Sequence, residues 1–338
     1  MDIFFRRIEH GGASHSPIEE GKTPKRSTTL AVLGCGNLGT SLLCGILATL
    51  KDRPNETSSL QSFPSLPNLP SSSRHEIDNE TASFTPPANF AAYVRTTASA
   101  SRLATALASF PTHVRIYKDL ENLHKADIII LACQRADLQV CLGNSEVRAA
   151  LAGKTLISLL PGATIQMLSS MLATPDDTSQ QPNTIIRAMA NTSSSVRQSM
   201  TIIEAPSSTP APILKTVDWI FTSIGTVKHL SAHNFDPATS LCASTPAFFA
   251  LVVEALTDAA VSAELAREDA QIMAAQAMKG CAELILAGHH PAHVRDEIST
   301  PGGSTIRGLL RLEKSGVRSN LAEAFLECVK AVENLGKN

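Results

Sequence analysis

The first two thirds of the chain alternate between short apolar runs and longer segments whose apolar residues have helical spacing. The runs are rich in Val, Ile, Leu and Ala, which is typical of strands covered on both faces of a parallel sheet. They occupy residues 30–33, 89–94, 113–117, 126–133, 154–159, 183–188, 200–203 and 226–229. Because strands that alternate with helices form doubly wound sheets, this part of the chain is predicted to be an α/β domain.

The pattern changes after about residue 233, where only helical spacing remains. Helices are predicted over residues 246–265, 268–287, 305–314 and 321–335. Ser244 or Thr245 before Pro246 predicts the start of the first of these helices, because a hydroxyl caps free amides and proline suits the first turn. The first two helices are apolar nearly all round, which indicates a surface that a second subunit covers.

Two segments lack the composition of a packed core. Residues 1–28 form a predicted flexible extension without the features of a signal or transit peptide. Residues 51–88 are rich in Ser and Pro and form a predicted disordered insertion. The rest divides into a predicted cofactor-binding domain over residues 29–232, which the insertion interrupts, and a helical domain over residues 233–338.

Composition narrows the class of protein. The 338 residues carry 29 basic and 31 acidic side chains and a formal net charge of −2, so nothing in the charge favours binding to nucleic acid. No apolar run approaches the ~18 residues that span a bilayer, and no membrane association is expected. The seven cysteines lack metal-ligand spacing and are interpreted as reduced packing residues of a cytoplasmic protein.

A glycine-rich turn directly follows the first apolar run. It consists of Gly34, Cys35, Gly36, Asn37, Leu38 and Gly39. In dinucleotide sites the first glycine allows a tight turn, the second admits the pyrophosphate and the third brings the helix onto the strand, while amides at the helix start hold the phosphates. Glycines at this spacing also occur in plain turns, but the strand before and the helix after favour a dinucleotide site.

The end of the second predicted strand favours NADP over NAD. NAD sites usually place an acidic residue there to bind the ribose 2′-hydroxyl, and this chain has none. Arg95, Thr96 and Thr97 stand there instead, with Arg102 further on. A guanidinium beside hydroxyl groups suits a 2′-phosphate. The other interpretation is that these residues only form a solvated loop.

A second unusual stretch leads into the predicted helix over residues 305–314. It consists of Thr300, Pro301, Gly302, Gly303, Ser304 and Thr305. Free amides at a helix start, flanked by small hydroxyl residues and glycines, predict a site for a small carboxylate. An ordinary helix-entry turn has the same composition, so both interpretations remain open.

Several segments together resemble the pyrroline-5-carboxylate reductase family. They are residues 32–39, 187–192, 243–249 and above all the signature block 299–306, with Gly308, Leu309, Leu312 and Glu313 behind it. The resemblance extends from Thr29 nearly to the C-terminus apart from the insertion. It implies a Rossmann domain followed by an all-α dimerisation domain. It also implies NAD(P)H-dependent reduction of a cyclic imine to a cyclic imino acid in a homodimer, or a higher oligomer of dimers, that shares its active sites.

The resemblance also implies roles for particular residues. The three glycines of the turn would bind pyrophosphate, and Asn191 would lie near the nicotinamide. Cys133 and Gln134 belong to a loop that contacts the cofactor. The residues expected to hold the substrate carboxylate are Thr300, Gly302, Gly303, Ser304 and Thr305.

The chain departs from the family pattern at several positions. Cys133, Gln134 and Arg135 replace a common Val-Lys-Pro, Thr245 replaces a glycine, and Leu251 replaces a threonine of some members. The expected substrate is 1-pyrroline-5-carboxylate, which is reduced to L-proline. A piperideine carboxylate of secondary metabolism and a non-catalytic NADP-binding regulator stay as alternatives. A hydroxyacid dehydrogenase would need a catalytic lysine, for which Lys279 has no partner motif.

Hydride transfer to a protonated imine needs orientation of the two partners rather than an acid–base pair. No catalytic residue is therefore assigned. Glu254 and Asp258 lie one helical turn apart and are interpreted as a polar patch or an interface bond. Nearby, three histidines lie beside Pro291 and are interpreted as a cap or surface residues, so no metal is expected; they are His289, His290 and His293.

Overall fold

A computed structural model describes residues 27–52, 86–173 and 183–337 of the chain. Most of the predicted N-terminal extension and of the predicted insertion lies outside these residues, so both remain predictions. The described residues form one eight-stranded sheet with helices on both faces, followed by a region that contains helices only.

The strands lie close to the positions that the apolar runs predict. They are β1 (Thr29–Leu33), β2 (Asn89–Tyr93), β3 (Val114–Tyr117), β4 (Ile128–Leu131), β5 (Thr155–Ser158), β6 (Thr184–Met189), β7 (Ser199–Glu204) and β8 (Gly225–His229). Their order is β3-β2-β1-β4-β5-β6-β7-β8, and every neighbouring pair is parallel except β6 with β7. The chain order reverses at β1, which lies between β2 and β4. The predicted doubly wound α/β sheet is confirmed.

Helices cover the two faces of the sheet. They are α1 (Asn37–Asp52), α2 (Thr97–Leu107), α3 (Leu138–Leu142), α4 (Ser145–Leu151), α5 (Ile165–Leu172) and α6 (Ala211–Thr222). Leu42, Ile46 and Phe221 belong to the buried cluster on one face, and Leu123 and Leu168 to the cluster on the other. All four residues of β4 are buried, as its uninterrupted apolar sequence predicts.

The region after the sheet is helical throughout, as predicted. Its helices are α7 (Ala232–Ser262), α8 (Arg267–Leu286), α9 (Pro291–Ile298), α10 (Ser304–Lys314) and α11 (Val317–Lys337). The sequence pattern predicted four of these helices and missed α9, a short helix that starts at Pro291. His290 precedes it as the N-cap, and its Nδ1 accepts a hydrogen bond from the amide of Ala292 at 3.2 Å.

The predicted start of the first long helix at Ser244 or Thr245 is wrong. α7 begins at Ala232, directly after β8, and continues through Pro246 for 31 residues. Proline has no N–H, so the carbonyl of Cys242, four residues earlier, loses its helical donor. Nδ2 of Asn191 donates to that carbonyl at 2.8 Å. The helix runs on because the loop after β6 supplies the missing bond.

A buried arginine ties α7 to the sheet. The guanidinium of Arg187, on β6, donates to Glu204 of β7 and to Asp236 of α7, each at 2.8 Å. Its side chain is 5% exposed, and it lies 4.0 Å above the ring of Phe235. Removing Arg187 would leave the carboxylates of Glu204 and Asp236 without this cationic partner, so the arginine holds the three elements in a fixed relation.

α7 also bears on the question of membrane association. Among the described residues it is the one helix long and apolar enough to span a bilayer, with a mean hydropathy of 1.5 in its 18-residue window. This corrects the expectation that no apolar stretch reaches such a length. A helix covered by a partner subunit has the same length and composition. The α7 side chains Phe249, Leu251 and Leu256 are each more than half exposed.

Candidate active site

A cleft of about 450 Å³ lies at the carboxyl ends of β1, β2 and β4. This is the point where the strand order reverses, and it is where open α/β sheets bind their ligands. Nearly all of the lining comes from the segments that directly follow these strands and β3. The lining includes Gly34, Cys35, Gly36, Arg95, Thr96, Ser99, Arg102, Lys118, Asp119, Cys133, Gln134, Asp137, Val140 and Cys141.

The glycine turn forms the floor of the cleft. Gly34 has a φ of +90°, and a Cβ there would collide with the backbone of Cys133 at the end of β4. A Cβ at Gly39 would come within 2.6 Å of the Gly34 carbonyl oxygen, so this glycine brings α1 close to the turn. A Cβ at Gly36 would meet no atom within 4 Å. The second glycine therefore opens space where a phosphate group can approach the backbone.

Positive groups line the side of the cleft next to β2 and β3. Arg95 and Arg102 are on the segment after β2, and Lys118 directly follows β3. The N-terminus of α2 lies between the two arginines, where Thr96 caps the helix by accepting the amide of Ser99 at 3.1 Å. Three cations and a helix N-terminus suit the additional phosphate of NADP.

One of the two acidic residues in the lining forms an ion pair with this positive group. Asp137, on the segment after β4, accepts a hydrogen bond from Nη1 of Arg95 at 2.5 Å. The Arg95 side chain is 74% exposed and that of Asp137 is 19% exposed. The pair crosses the cleft from the β2 side to the β4 side, and Arg95 would have to share its guanidinium between Asp137 and an incoming phosphate.

Two cysteine thiols, Cys133 and Cys141, line the β4 side of the cleft and pack against the same buried cluster. The pKa of Cys141 is lowered to about 7, first because the Cys133 thiol donates a hydrogen bond to the Cys141 thiolate and then because of the charge of Arg95. The same hydrogen bond, together with burial, raises the pKa of Cys133. Asp137 opposes ionisation of both thiols. Cys35 differs, because burial raises the pKa of its thiol to about 12.

Asn191 is held by hydrogen bonds on every polar group. Its backbone amide donates to Ser199 Oγ at 3.1 Å, its Oδ1 accepts the amide of Ser193 at 3.0 Å, and its Nδ2 donates to Cys242. The side chain thus joins the loop after β6 to α7, and it is not among the residues that line the cleft. Its proximity to a nicotinamide remains a prediction.

The stretch from Thr300 to Thr305 forms a tight turn and the first residues of α10. The amide of Gly303 donates to the Thr300 carbonyl at 3.0 Å, and Gly302 has a φ of +71° in the left-handed region that glycine favours. Gly303 caps α10, so the cap has no side chain. In the described part of the chain the Thr305 hydroxyl has no hydrogen-bond partner, and the first amides of α10 are free of helical acceptors.

The structure brings part of the predicted cofactor set together and leaves part of it outside. Gly34, Cys35, Gly36, Arg95, Thr96, Cys133 and Gln134 line the cleft. Asn37, Leu38, Gly39, Thr97 and Asn191 do not line it. The predicted substrate residues around α10 also lie outside the cleft, as active sites shared between two subunits would require.

Sequence reasoning missed Lys118, Asp137 and Cys141 as cleft residues. One signal in the sequence could have located Lys118, because it stands directly after a predicted strand. Arg95 stands at the end of another predicted strand in the same way. Asp137 and Cys141 come from a short helical segment between β4 and α4 that gave no sequence signal. Arg135, next to Gln134, turns away from the cleft and places Nη2 3.7 Å from the sulfur of Met167.

The other candidate residues from the sequence lie at exposed positions of α7 and α8. Asp258 of α7 pairs with Arg267 of α8 at 2.8 Å on the surface, and Glu254 is exposed nearby. Lys279 is exposed on α8. Within the described residues, no group of three or more His, Cys, Asp or Glu side chains is arranged to hold a metal ion.

Comparison with known proteins places the chain in a family. A family model described as pyrroline-5-carboxylate reductase dimerisation matches residues 232–335. The pyrroline-5-carboxylate reductase of Lophium arboricola is 39% identical over 316 residues, which cover 91% of this chain and 93% of that protein. The chain belongs to the pyrroline-5-carboxylate reductase family. The resemblance seen in the sequence is therefore confirmed.

Two further comparisons agree with this assignment. The pyrroline-5-carboxylate reductase of Neurospora crassa is 38% identical over 331 residues, 91% of this chain and 93% of that protein. The crystal structure of Plasmodium falciparum pyrroline carboxylate reductase with NADP bound superposes with a TM-score of 0.70 and 22% identity, over 91% of this chain and 98% of that one. That structure supports the fold, and the family model identifies α7 to α11 as the dimerisation region.

Proposed function

We propose that this chain reduces 1-pyrroline-5-carboxylate, a cyclic imine carboxylate, to L-proline with NADPH as the hydride donor. Membership of the pyrroline-5-carboxylate reductase family supports the reaction class. The observation that carries the cofactor choice is the cluster of Arg95, Arg102 and Lys118 at the capped start of α2, where NAD sites usually have an acidic residue.

The cleft fits a dinucleotide by its own geometry. Gly36 leaves open space over the turn, and the start of α1 presents free amides to a pyrophosphate. The cofactor supplies the hydride when it is bound. The protein needs only to bind and orient the two reactants, because a protonated imine already carries the charge that the hydride neutralises.

The turn before α10 is the proposed substrate site. Its free amides and the unpartnered Thr305 hydroxyl suit a carboxylate, and Gly302, where a Cβ would meet no atom within 4 Å, leaves space for a small ring. This turn and the cleft belong to different parts of the chain, so we assign the complete active site to a homodimer formed through α7 to α11. Larger assemblies would contain that dimer, and the cytoplasmic location expected from the sequence stays a prediction.

The decisive experiment follows NADPH oxidation by the purified protein with five-membered and six-membered cyclic imine carboxylates side by side. We expect turnover with 1-pyrroline-5-carboxylate to exceed turnover with the piperideine carboxylate. The opposite preference would assign the chain to the larger ring, and NADPH binding without turnover of either would assign a regulator. Gly36→Leu is a suitable control, because its side chain enters open space, so the fold should be kept and cofactor binding lost.

A further inference from the structure

The pair Cys133 and Cys141 has no role in hydride transfer, yet both thiols line the dinucleotide cleft. Cys133 follows β4, and Cys141 lies near the end of α3, eight positions later in the chain. All seven cysteines are free thiols. We propose that Cys133 and Cys141 form a dithiol that peroxides oxidise to a disulfide, and that this disulfide narrows the cleft and weakens dinucleotide binding.

The environment of the two sulfurs favours this chemistry. Both thiols are half-buried, line the same side of the cleft and pack against the same buried cluster, so a shift of α3 alone can bring one sulfur to the other. The lowered pKa of Cys141 makes its sulfur the nucleophile near neutral pH, since the thiolate is the reactive form. The other charged groups that face the pair are Asp137 and Arg95, which hold each other at 2.5 Å.

The reaction balances with a hydroperoxide as the oxidant. The Cys141 thiolate attacks one peroxide oxygen, the O–O bond breaks, and a sulfenic acid and hydroxide are formed. The Cys133 sulfur then attacks the sulfenic sulfur, the S–O bond breaks, and the disulfide and water are formed. Two thiols and one hydrogen peroxide thus become one disulfide and two waters, and a dithiol reductant reverses the change.

The backbone around Cys133 determines which side of the cleft moves. A Cβ at Gly34 would collide with the Cys133 backbone, so the end of β4 already rests against the glycine turn and cannot approach it further. The adjustment must come from α3. This helix also carries Val140, whose side chain is 74% exposed on the cleft wall. Drawing α3 toward β4 reduces the space over the turn and pulls on Asp137, the partner of Arg95.

The inference rests on the proposed function, because it assumes that the cleft binds NADPH. The experiment therefore has two separate readouts on the full-length protein. After treatment with hydrogen peroxide, digestion and mass spectrometry should find residues 133 and 141 joined with the loss of two hydrogen atoms. Titration should show NADPH affinity lower by about tenfold or more than in the reduced protein, with recovery in dithiothreitol. Prior addition of NADP⁺ should slow the cross-link.

Variants assign the effect to this pair. Cys133→Ser and Cys141→Ser should lose the cross-link and the oxidation-dependent drop in affinity, each compared with its own reduced form. Cys281→Ser, which removes an exposed thiol on α8, should keep both. No cross-link between 133 and 141, or a cross-link with unchanged NADPH affinity, would overturn the proposal. If the reduced protein binds no NADPH, the proposed function is wrong. The cross-link between residues 133 and 141 is then the measurement that tests the dithiol.

Discussion

Arg95 occupies a position where a single side chain decides which dinucleotide fits. It lies at the entrance of the cleft with its guanidinium on Asp137, in a cluster with Arg102 and Lys118. A 2′-phosphate entering this cluster gains charge-assisted hydrogen bonds, and a 2′-hydroxyl gains little. The cofactor preference should therefore depend on the sign of the charge at position 95.

Charge reversal at this position tests that dependence. Arg95→Glu should raise the dissociation constant of NADPH roughly 10–100-fold, because it removes a hydrogen bond to a charged group worth ~1.5–3 kcal/mol and adds repulsion. The affinity for NADH should change little, since a carboxylate can accept the 2′-hydroxyl. Isothermal titration of both cofactors measures the difference. Arg115→Glu makes the same charge change on β3 outside the cleft, and it should leave both affinities unaltered.

Equal weakening of NADPH and NADH by Arg95→Glu would show that Arg95 does not read the phosphate. If Arg115→Glu weakens NADPH binding as much as Arg95→Glu does, the effect comes from overall charge rather than from the cleft.

Thr305 carries the next prediction at this scale. Its hydroxyl caps nothing, because Gly303 holds the cap position and no partner lies within reach in the described chain. Thr305→Val should therefore leave the melting temperature nearly unchanged and raise the Michaelis constant for the imine roughly 10–100-fold, the effect of losing one hydrogen bond to a carboxylate. NADPH affinity should stay the same. Steady-state kinetics and thermal unfolding of one preparation give all three quantities.

Thr216→Val on α6 is the matched control for Thr305→Val, because it removes a hydroxyl that donates only to the Pro212 carbonyl of its own helix. A normal Michaelis constant in Thr305→Val would remove the substrate role from the turn before α10.

Whether the sequence could predict a cleft residue depends on how close that residue stands to a predicted strand end. Gly34, Gly36 and Arg95 stand next to predicted strand ends, so a strand pattern locates them. Asp137 and Cys141 enter the cleft only because β4 lies beside β1 in the sheet, and this neighbour relation is absent from local periodicity. The pairing of Arg95 with Asp137 across 42 positions is therefore a property of the folded chain.

Among the elements, α7 depends on a hydrogen bond from a distant loop. Its interior Pro246 removes one helical donor, and Asn191 in the loop after β6 provides another at 2.8 Å. The same Asn191 accepts from Ser193 through its other side-chain atom. These two functions can be separated chemically, because aspartate keeps the acceptor and loses the donor.

Asn191→Asp should lower the free energy of unfolding by about 1–3 kcal/mol, since the Cys242 carbonyl then lacks a donor and faces a carboxylate oxygen. The loss should shrink by more than half in a Pro246→Ala background, where the helix supplies its own N–H. Urea unfolding of the four proteins at one concentration gives this double-mutant cycle. Asn144→Asp, at an exposed cap of α4, keeps its acceptor role and should change little.

Additive effects of Asn191→Asp and Pro246→Ala would contradict the proposed exchange of donors. The same arrangement explains why the helix boundary could not be predicted. Hydroxyl residues before a proline are typical of a helix start. Here the hydrogen bond from the distant Asn191 allows the helix to continue through the proline, and the local sequence does not show that bond. The helical spacing and the absence of strands after residue 233 depended on local pattern alone and were predicted.

At the scale of the whole molecule, the apolar surface of α7 and α8 requires a partner. Beyond the α7 side chains named above, Ile272 and Met273 of α8 are 61% and 59% exposed, and the family model over residues 232–335 describes dimerisation. In a dimer with twofold symmetry each substituted residue occurs twice, so its effect on association is counted twice.

Ile272→Glu should raise the dimer dissociation constant at least roughly 10²-fold, because each copy loses ~1.5–3 kcal/mol of apolar burial and brings a charge into the interface. Analytical ultracentrifugation over a dilution series measures the change. Val196→Glu places the same charge on another exposed apolar residue outside the dimerisation region, and it should not alter association. A dimer that tolerates Ile272→Glu would place the subunit contact on a different surface.

The order of the elements along the chain has a consequence for how the protein is made. All eight strands precede Ala232, so the sheet and its covering helices can leave the ribosome and pack before α7 and α8 are synthesised. The apolar surface of α7 and α8 is thus exposed only late in synthesis, when Arg187 and Asn191 can already attach α7 to the folded sheet. A chain with these segments in the reverse order would present bare apolar helices to its neighbours throughout translation.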